Sequence, residues 1–349
     1  MNTKNLMGII CILTAVLMFF TGTALADFYV VAAGKRAKRV VLVSPKATET
    51  ESGTALLDAL AKITDASATN PYLIYIEPGI YDIGSGSVDM EEYVSIQGSG
   101  QSVTKITGTA AGINNGVVLG DANCELRNLT VENTGNADDA VAIYCTVSHN
   151  MIISHVTAIA SGGADVKRAI VATICDPLTL DQVTATATGG DDAYGLFLGI
   201  MDNTTLRHVS ASASGANTNI GIYFSVTVGR IDVRNSTAIA EDGVSCYGIR
   251  AGFATEIYLY DVTASGTDVT GVNSGKGIFL SNDSVLWVHH SSITGEPYSI
   301  DTETGASCYV GASHLDGCTS GIVDCAGNYY QPSSTNWDFY QNICPSCIF

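Results

Sequence analysis

The sequence repeats a short phrase at a nearly constant spacing, and this repeat constrains the fold more than any other feature. The phrase has an apolar residue, a spacer, a polar residue, usually an aliphatic residue, and then Thr or Ser. Its fourth position is occupied by Leu129, Val156, Val183, Val209, Ser236, Val262 and Ser291, so successive residue numbers differ by 27, 27, 26, 27, 26 and 29. A fixed period of this length is typical of solenoids, in which each unit stacks on the next.

A second phrase, a small residue followed by an aliphatic one, keeps the same period. It occurs at Ala142-Ile143, Ala169-Ile170, Gly195-Leu196, Gly221-Ile222, Gly248-Ile249 and Gly277-Ile278, and then more closely spaced at Ser299-Ile300 and Gly321-Ile322. Apolar residues alternate over two to four positions within each repeat, which is the periodicity of strands. We therefore predict three short strands per coil, stacked in parallel about 4.8 Å from those of the next coil.

The predicted fold class is all-β, a single-stranded right-handed parallel β-helix of roughly nine to ten coils over residues 53–325. The aliphatic residues of both phrases are predicted to point inward and form two buried columns. The polar column of the first phrase is predicted to lie at a turn, where its histidines serve the structure: Asn128, His155, Gln182, His208, Asn235, Asp261 and His290. Residues Thr54 to Ile63 have apolar side chains at helical spacing, so they are predicted to form a helix that caps the N-terminal end of the solenoid.

The segments after this helix resemble a known superfamily. They are YIEPGIY at residues 75–81, VSIQGSG at 94–100 and TKITG at 104–108. Together they resemble the N-terminal part of the pectin-lyase-like right-handed parallel β-helix superfamily. Among its members, the pectin methylesterase-like ones have the most similar segments. The resemblance implies the fold. It carries no esterase or polygalacturonase chemistry, because the Gln-Asp-Thr, Asp-Phe-Ile-Phe-Gly, Leu-Gly-Arg-Pro-Trp, Gly-His-Gly and Arg-Ile-Lys motifs are absent.

The two ends of the chain are predicted to lie outside the β-helix. Residues 1–26 have a lysine, an apolar run and an Ala-Leu-Ala site, which indicate a signal peptide and hence a secreted or periplasmic protein. Residues 27–52 are predicted to be an N-terminal segment or linker, and 326–349 a C-terminal cap. Cys325, Cys344 and Cys347 predict a disulfide-stapled cap, with a metal or redox site as the alternative.

The charge balance narrows the classes of partner. The chain has a net charge of -18, with 14% charged and 46% hydrophobic residues. An acidic chain of this kind is poorly suited to bind nucleic acid or anionic lipid, and no membrane insertion is expected after signal cleavage. A polysaccharide or a cell-surface glycan is the expected partner.

A column of acidic residues precedes the second phrase. Asp139, Asp165 and Asp192 recur at nearly the same spacing as the phrase itself, and carboxylates stacked in register would favour a bound calcium ion. If Lys167 or Arg168 projects beside that ion, the set approximates a calcium-dependent polysaccharide lyase, with metal and base acting on the sugar's α-proton. The alternatives are a structural calcium site and a solvated acidic edge.

The residue after each aliphatic of the second phrase is predicted to point outward. These residues form a stripe of Tyr144, Val171, Phe197, Tyr223, Arg250 and Phe279. An exposed apolar stripe needs a partner, and we predict glycan contacts at Tyr144, Phe197, Tyr223, Arg250 and Phe279; the alternative is that a long turn covers the stripe. Thr-x-Thr pairs on a third face suggest ice binding only weakly, because they span few coils.

The sequence therefore favours an exported, non-catalytic β-helix that binds polysaccharide or acts at the cell surface. The alternative is a carbohydrate-active enzyme, above all a calcium-dependent lyase built on Asp139, Asp165 and Asp192 with Lys167 or Arg168.

Overall fold

The computed structural model is a parallel β-solenoid of about nine coils, which confirms the predicted fold class. It describes residues 28–31, 38–136, 138–162, 165–253, 256–268, 274–326 and 329–330. The predicted signal peptide, most of the C-terminal cap, Cys344 and Cys347 lie outside the described residues. No helix in the described part of the chain is long and apolar enough to cross a membrane.

Each coil contributes strands to three faces, which we name A, B and C in chain order. Face A includes Lys38–Val43 (β2), Tyr72–Ile76 (β3), Val94–Gln97 (β6), Thr204–Arg207 (β15), Val285–His289 (β22), Ser307–Gly311 (β24) and Ile322–Ala326 (β26). Face B includes Gly79–Asp82 (β4), Thr104–Gly108 (β7), Ser210–Ser214 (β16) and Tyr329–Tyr330 (β27). Face C includes Val88–Asp89 (β5), Val118–Gly120 (β8), Ala140–Thr146 (β10), Val166–Thr173 (β12), Asp192–Met201 (β14), Thr218–Thr227 (β17), Ser245–Gly252 (β19) and Gly275–Ser281 (β21).

Longer strands continue around a corner of the solenoid. Those that pass from face A to face B are Glu125–Asn133 (β9), Met151–Ser161 (β11), Leu178–Thr188 (β13), Ile231–Gly243 (β18) and Ile257–Asp268 (β20). Ser292–Thr302 (β23) and His314–Ser320 (β25) pass from face B to face C. Phe28–Val31 (β1) pairs antiparallel with β2, whereas the pairs between successive coils are parallel.

Both predicted interior columns lie inside the solenoid. Leu126, Ile153, Leu180, Leu206, Val233, Leu259 and Val288 are fully buried, and so are Ile143, Ile170, Leu196, Ile222, Ile249 and Ile278. The register repeats without interruption in these columns, for example Ile143 opposite Ile170 and Ile170 opposite Leu196. Side chains that are distant in sequence therefore pack on one another, and neighbouring coils share one core.

The corner between faces A and B is made by the polar column of the first phrase. Asn128, His155, Gln182, His208, Asn235, Asp261 and His290 all have positive φ, between 48° and 55°. Asn, Asp and His are the side chains best tolerated in this left-handed region. The predicted turn is confirmed, and the repeated polar residue is explained by backbone conformation.

The small residue of the second phrase is required by the closeness of faces B and C. A Cβ atom on Gly221 would lie 2.7 Å from the Gly248 carbonyl oxygen and 2.7 Å from the Ile239 nitrogen on face B. Inward positions of face B are correspondingly small, as at Ala211 and Ala238, which are buried. The cross-section of the solenoid is therefore narrow at this point.

The N-terminal cap is a helix, as predicted, but it begins earlier. It spans Glu49–Ala61 (α1), with Thr48 as N-cap and a capping box in which the Thr48 side chain accepts from the Glu51 N–H and Glu51 accepts from the Thr48 N–H. This capping signal accounts for the earlier start. Part of the segment predicted as a linker is regular structure, because β2 pairs in parallel with β3 as the first strand of face A.

Five cysteines lie inside the solenoid as free thiols: Cys124, Cys145, Cys175, Cys246 and Cys308. Burial raises the pKa of the Cys124 thiol to about 12, and it raises the pKa of Cys145 and Cys308 as well. Because the reactive species is the thiolate, these cysteines behave as small core residues.

Replacement of Gly221 by alanine tests the close approach of faces B and C. We expect Gly221→Ala to lower the free energy of unfolding by about 1–3 kcal/mol, because the added methyl group meets backbone atoms. Urea denaturation measures the loss. Gly252→Ala is the matched control: its nearest neighbour would lie at 3.5 Å, an ordinary contact, and equal effects in the two variants would contradict the explanation.

Candidate functional site

The outer surface of face C carries a cluster of aromatic and cationic side chains that spans five successive strands. We call this cluster the aromatic–cationic wall. Its members lie on β12, β14, β17, β19 and β21: Arg168, Tyr194, Phe197, Tyr223, Tyr247, Arg250, Lys276 and Phe279. Successive coils are about 4.8 Å apart, so the wall is about 20 Å long. It is an elongated surface, parallel to the solenoid axis.

The aromatic rings of the wall hold one another in fixed orientations. The Phe197 and Tyr223 rings meet edge to face with centroids 5.2 Å apart, and Tyr194 meets Phe197 in the same way at 5.8 Å. Tyr247 and Phe279 form a tilted pair at 5.4 Å. Such pairs contribute about 0.5–1.5 kcal/mol beyond the burial of their area, so the surface is rigid before any ligand arrives.

The predicted contact stripe is only partly accessible. Tyr144, Val171 and Phe279 are 8%, 4% and 7% exposed, so the prediction that the whole row is exposed is wrong for these three. The Tyr144 hydroxyl donates to Asn114 Oδ1 at 3.1 Å, and Val171 packs with Tyr144 and Val141. A turn thus covers the N-terminal end of the stripe.

The accessible part of the stripe lies in its middle. Phe197, Tyr223 and Arg250 are half-buried, and Phe279 lies beneath Lys276, whose Nζ is 4.1 Å from the ring centroid. The alternative that a turn covers the stripe therefore holds for its N-terminal end, and the middle of the stripe is accessible. No observation tests ligand binding at Tyr144, Phe197, Tyr223, Arg250 or Phe279, which stays a prediction.

Arg250 differs from the other two cations of the wall. Arg168 pairs with Asp139 at 2.7 Å and Lys276 pairs with Asp301 at 2.7 Å. Arg250 forms no salt bridge with any described residue. Its buried Nε, like that of Arg168, has no hydrogen-bond partner among them. Its guanidinium carbon lies 5.4 Å from the ring centroids of both Tyr223 and Tyr247. An unpaired guanidinium therefore lies between aromatic rings near the centre of the wall.

The acidic turn before face C is arranged differently from the predicted column. Lys167 pairs with Ala140 and Ala193, and Val166 pairs with Asp192. Asp139 and Asp192 therefore share the level of Val166, and Asp165 is one residue out of register. In the described part of the chain, no three His, Cys, Asp or Glu side chains are grouped closely enough to hold a metal ion. Calcium binding by Asp139, Asp165 and Asp192 stays a prediction.

The two predicted catalytic cations have structural partners. Lys167 is fully buried at an inward position, and its Nζ donates to the Gly135 carbonyl oxygen at 3.3 Å. Burial lowers the pKa of Lys167, while the charges of Asp139 and Asp165 oppose this shift. Arg168 is bound to Asp139, so Lys167 and Arg168 together bring two positive charges of the chain itself close to the acidic turn. Their catalytic roles stay predictions.

Face A carries an aromatic stack that the sequence analysis missed. Tyr258, Trp287 and Tyr309 lie on successive coils with centroids 4.6 and 5.7 Å apart and nearly parallel rings. The Arg230 guanidinium lies 4.2 Å from the Tyr258 ring centroid and binds both oxygens of Asp232 at 2.8 and 2.9 Å. Tyr258 and Trp287 each come one residue before the first phrase of their coil, at Leu259 and Val288. Examination of the residues one position before the phrase would therefore have found the stack. Because the ring faces cover one another, the stack stabilises the C-terminal coils.

The solved structures that are similar to this chain are distant in sequence. No family model matches the chain, and no curated protein matches it. Similar solved structures include the A-module of mannuronan C-5 epimerase AlgE6 from Azotobacter vinelandii, with 15% identity, a TM-score of 0.40, and coverage of 81% of this chain and 96% of that one. Pectin methylesterase from carrot has 14% identity, a TM-score of 0.44 and coverage of 82% and 84%. ORF18 of Geobacillus virus E2 has 11% identity, a TM-score of 0.44 and coverage of 83% and 60%.

The Arg230–Asp232 pair predicts a pH-dependent contribution to stability. The hydrogen bonds from Arg230 lower the pKa of Asp232 below its value in the unfolded chain, so the contribution is full above the unfolded pKa and is lost as the pH falls through the folded pKa. We expect Asp232→Asn to lower the free energy of unfolding by about 0.5–1 kcal/mol at pH 7, since the pair is partly exposed. Urea denaturation should show the difference shrinking in acid. A difference that persists at low pH would mean that the carboxylate charge is not responsible.

Proposed function

We propose that this protein is an exported, non-catalytic β-helix that binds an acidic polysaccharide on the aromatic–cationic wall. Export rests on the signal-like residues 1–26 of the sequence. The wall offers a line of aromatic surface that suits an extended polymer, with the unpaired guanidinium of Arg250 near its centre. The half-buried rings supply contact area at little entropic cost, because their orientations are already fixed.

The observation that carries this proposal is the unpaired Arg250. A chain with a net charge of -18 has many carboxylates, yet none of those described pairs with this guanidinium. A half-buried guanidinium gains most from a planar anion that accepts two parallel N–H bonds, and a carboxylate is such an anion. The carboxylate of a uronic acid residue supplies that partner, while its sugar ring lies against Tyr223 or Phe197.

The non-catalytic part of the proposal rests on the surroundings of the candidate catalytic groups. Lys167 faces the interior of the solenoid and is fully buried, so it does not reach a ligand on the outer surface. Arg168 is held by Asp139 and lies over the Tyr194 and Phe197 rings at 5.4 and 5.5 Å. Both side chains thus have structural roles that account for their presence.

Binding to polygalacturonate tests the proposal. We expect Arg250→Gln to weaken retention about tenfold or more, because a charge-assisted hydrogen bond contributes about 1.5–3 kcal/mol. Tyr223→Ala is expected to weaken it as well. Affinity electrophoresis or calorimetry at fixed salt measures the effect, and Arg207→Gln, which removes an exposed positive charge from face A, is the matched control.

The same samples distinguish binding from turnover. Incubation with and without calcium, followed by absorbance of unsaturated products, reports a lyase activity. Product that depends on calcium would replace the non-catalytic proposal with the lyase alternative. Retention unchanged in both Arg250→Gln and Tyr223→Ala would remove the wall as the contact surface.

A further inference from the structure

A row of exposed apolar side chains runs along one edge of face C. Val147, Ile174 and Phe253 lie in the turn that follows a strand of this face, and Ile200 is the next-to-last residue of β14, where the pairing with β17 is irregular. They are 60%, 43%, 59% and 47% exposed, in that order. We call these four residues the apolar ridge. The Val147 N–H donates to the Thr173 carbonyl oxygen, and the Ile174 N–H donates to that of Gly199. Val147, Ile174 and Ile200 therefore stand next to one another on successive coils.

The ridge residues are held in an unfavourable backbone conformation. Their φ angles are 50°, 58°, 54° and 52°, in the left-handed region, where a β-branched residue is a genuine outlier. The conformation is unfavourable for L-residues, because Cβ lies too close to the following carbonyl oxygen. Exposure denies these side chains the burial that would offset this cost.

The chain uses the favourable residue elsewhere in the same turns. Asn150 and Asn203 follow three residues after Val147 and Ile200, with φ of 55° and 47°. Asparagine is enriched in this conformation because its short side chain bonds locally. The apolar choice at the ridge is therefore not imposed by the turn, and strain without structural gain points to a role in binding.

The position of the ridge connects it to the wall. Each ridge residue follows a stripe residue by three positions: Val147 after Tyr144, Ile174 after Val171, Ile200 after Phe197 and Phe253 after Arg250. Three residues of extended chain span about 10 Å, so the ridge runs beside the wall. It is interrupted at the coil of β17, where the half-buried Val226 holds the equivalent position. The turn at the opposite edge of face C is acidic, with Asp165 and Asp191 exposed. A polymer on the wall therefore has an edge of exposed carboxylates on one side and exposed apolar side chains on the other, where Asp176 and Asp202 follow two residues after Ile174 and Ile200.

We propose that the apolar ridge contacts acetyl esters on the polysaccharide that lies along the wall, so that the site prefers the O-acetylated polymer. This inference rests on the proposed function and names the form of its ligand. The ridge side chains offer neither charge nor hydrogen bonds, so they gain from an uncharged methyl-bearing substituent. Carboxylates of the same polymer point instead toward Arg250. Each methyl group buried contributes about 0.8 kcal/mol, and two such contacts give a preference of about tenfold.

The double variant Ile174→Asn with Ile200→Asn tests the inference. The probe is one preparation of chemically acetylated polygalacturonate, used before and after alkaline removal of the esters. We expect the wild type to bind the acetylated form about tenfold more tightly, and the double variant to bind both forms with the wild type's affinity for the saponified one. We also expect the double variant to melt at a higher temperature, because asparagine relieves the left-handed strain. Ile152→Asn, at an exposed strand position of face A, is the control and should leave the preference unchanged.

The outcomes separate this inference from the proposed function. Equal binding of the two polymers by the wild type would overturn the acetyl preference and leave the wall as a binding surface. Failure to bind either polymer would overturn the proposed function itself, and the acetyl preference with it. An equal loss of affinity for both polymers in the double variant would show that the ridge does not read the ester. Self-association of the wild type that is lost in the double variant, measured by sedimentation, would identify the ridge as a contact between copies instead.

Discussion

The structure depends on parallel backbone pairing between successive coils. Each coil leaves the N–H and C=O groups of its strands to be satisfied by the coils above and below, and no coil buries its own apolar face. The strand register therefore has to be the same from one coil to the next. Ile143, Ile170 and Leu196 stack on one another because this register is kept. The end of such a stack needs a cover, which α1 provides at the N-terminus with Leu56, Ala59 and Leu60 buried against the solenoid.

The narrow contact between faces B and C follows from that stacking and determines the shape of face C. Glycine at positions such as 221 allows the chain to approach Ile239 on face B, and alanines such as Ala211 and Ala238 occupy the inward positions of face B. The outward side chains of face C then lie on a regular strip. Large rings on neighbouring coils meet at 5.2 to 6.1 Å, and cations lie over them. Where faces B and C meet, small residues fill the interior, and the outer surface of face C carries large ones.

Two surfaces of the molecule use aromatic residues for different purposes. On face A the rings of Tyr258 and Trp287 are nearly parallel, and they cover each other's faces. On face C the rings meet edge to face or at a tilt, and Arg250 has no carboxylate partner among the described residues. The first arrangement stabilises the coils that carry it. The second leaves charge and ring surface unsatisfied, which is the physical basis for placing ligand binding there and for the role of the ridge beside it.

The sequence by itself determined the coil, because a nearly constant repeat period fixes which side chains stack. It therefore predicted the buried columns through Ile222 and Leu206 and the turn at His155, whose left-handed backbone selects the polar residue. Only the tertiary structure decided what depends on turns and on neighbouring faces. The repeat does not control the spacing between every pair of segments, and three surface features arise there. They are the cover of Tyr144 by Asn114, the one-residue shift between Asp165 and Asp192, and the lack of a partner for Arg250 among the described residues. Turn length varies from coil to coil without breaking the ladder, so the period specifies the core and leaves the surface to local geometry.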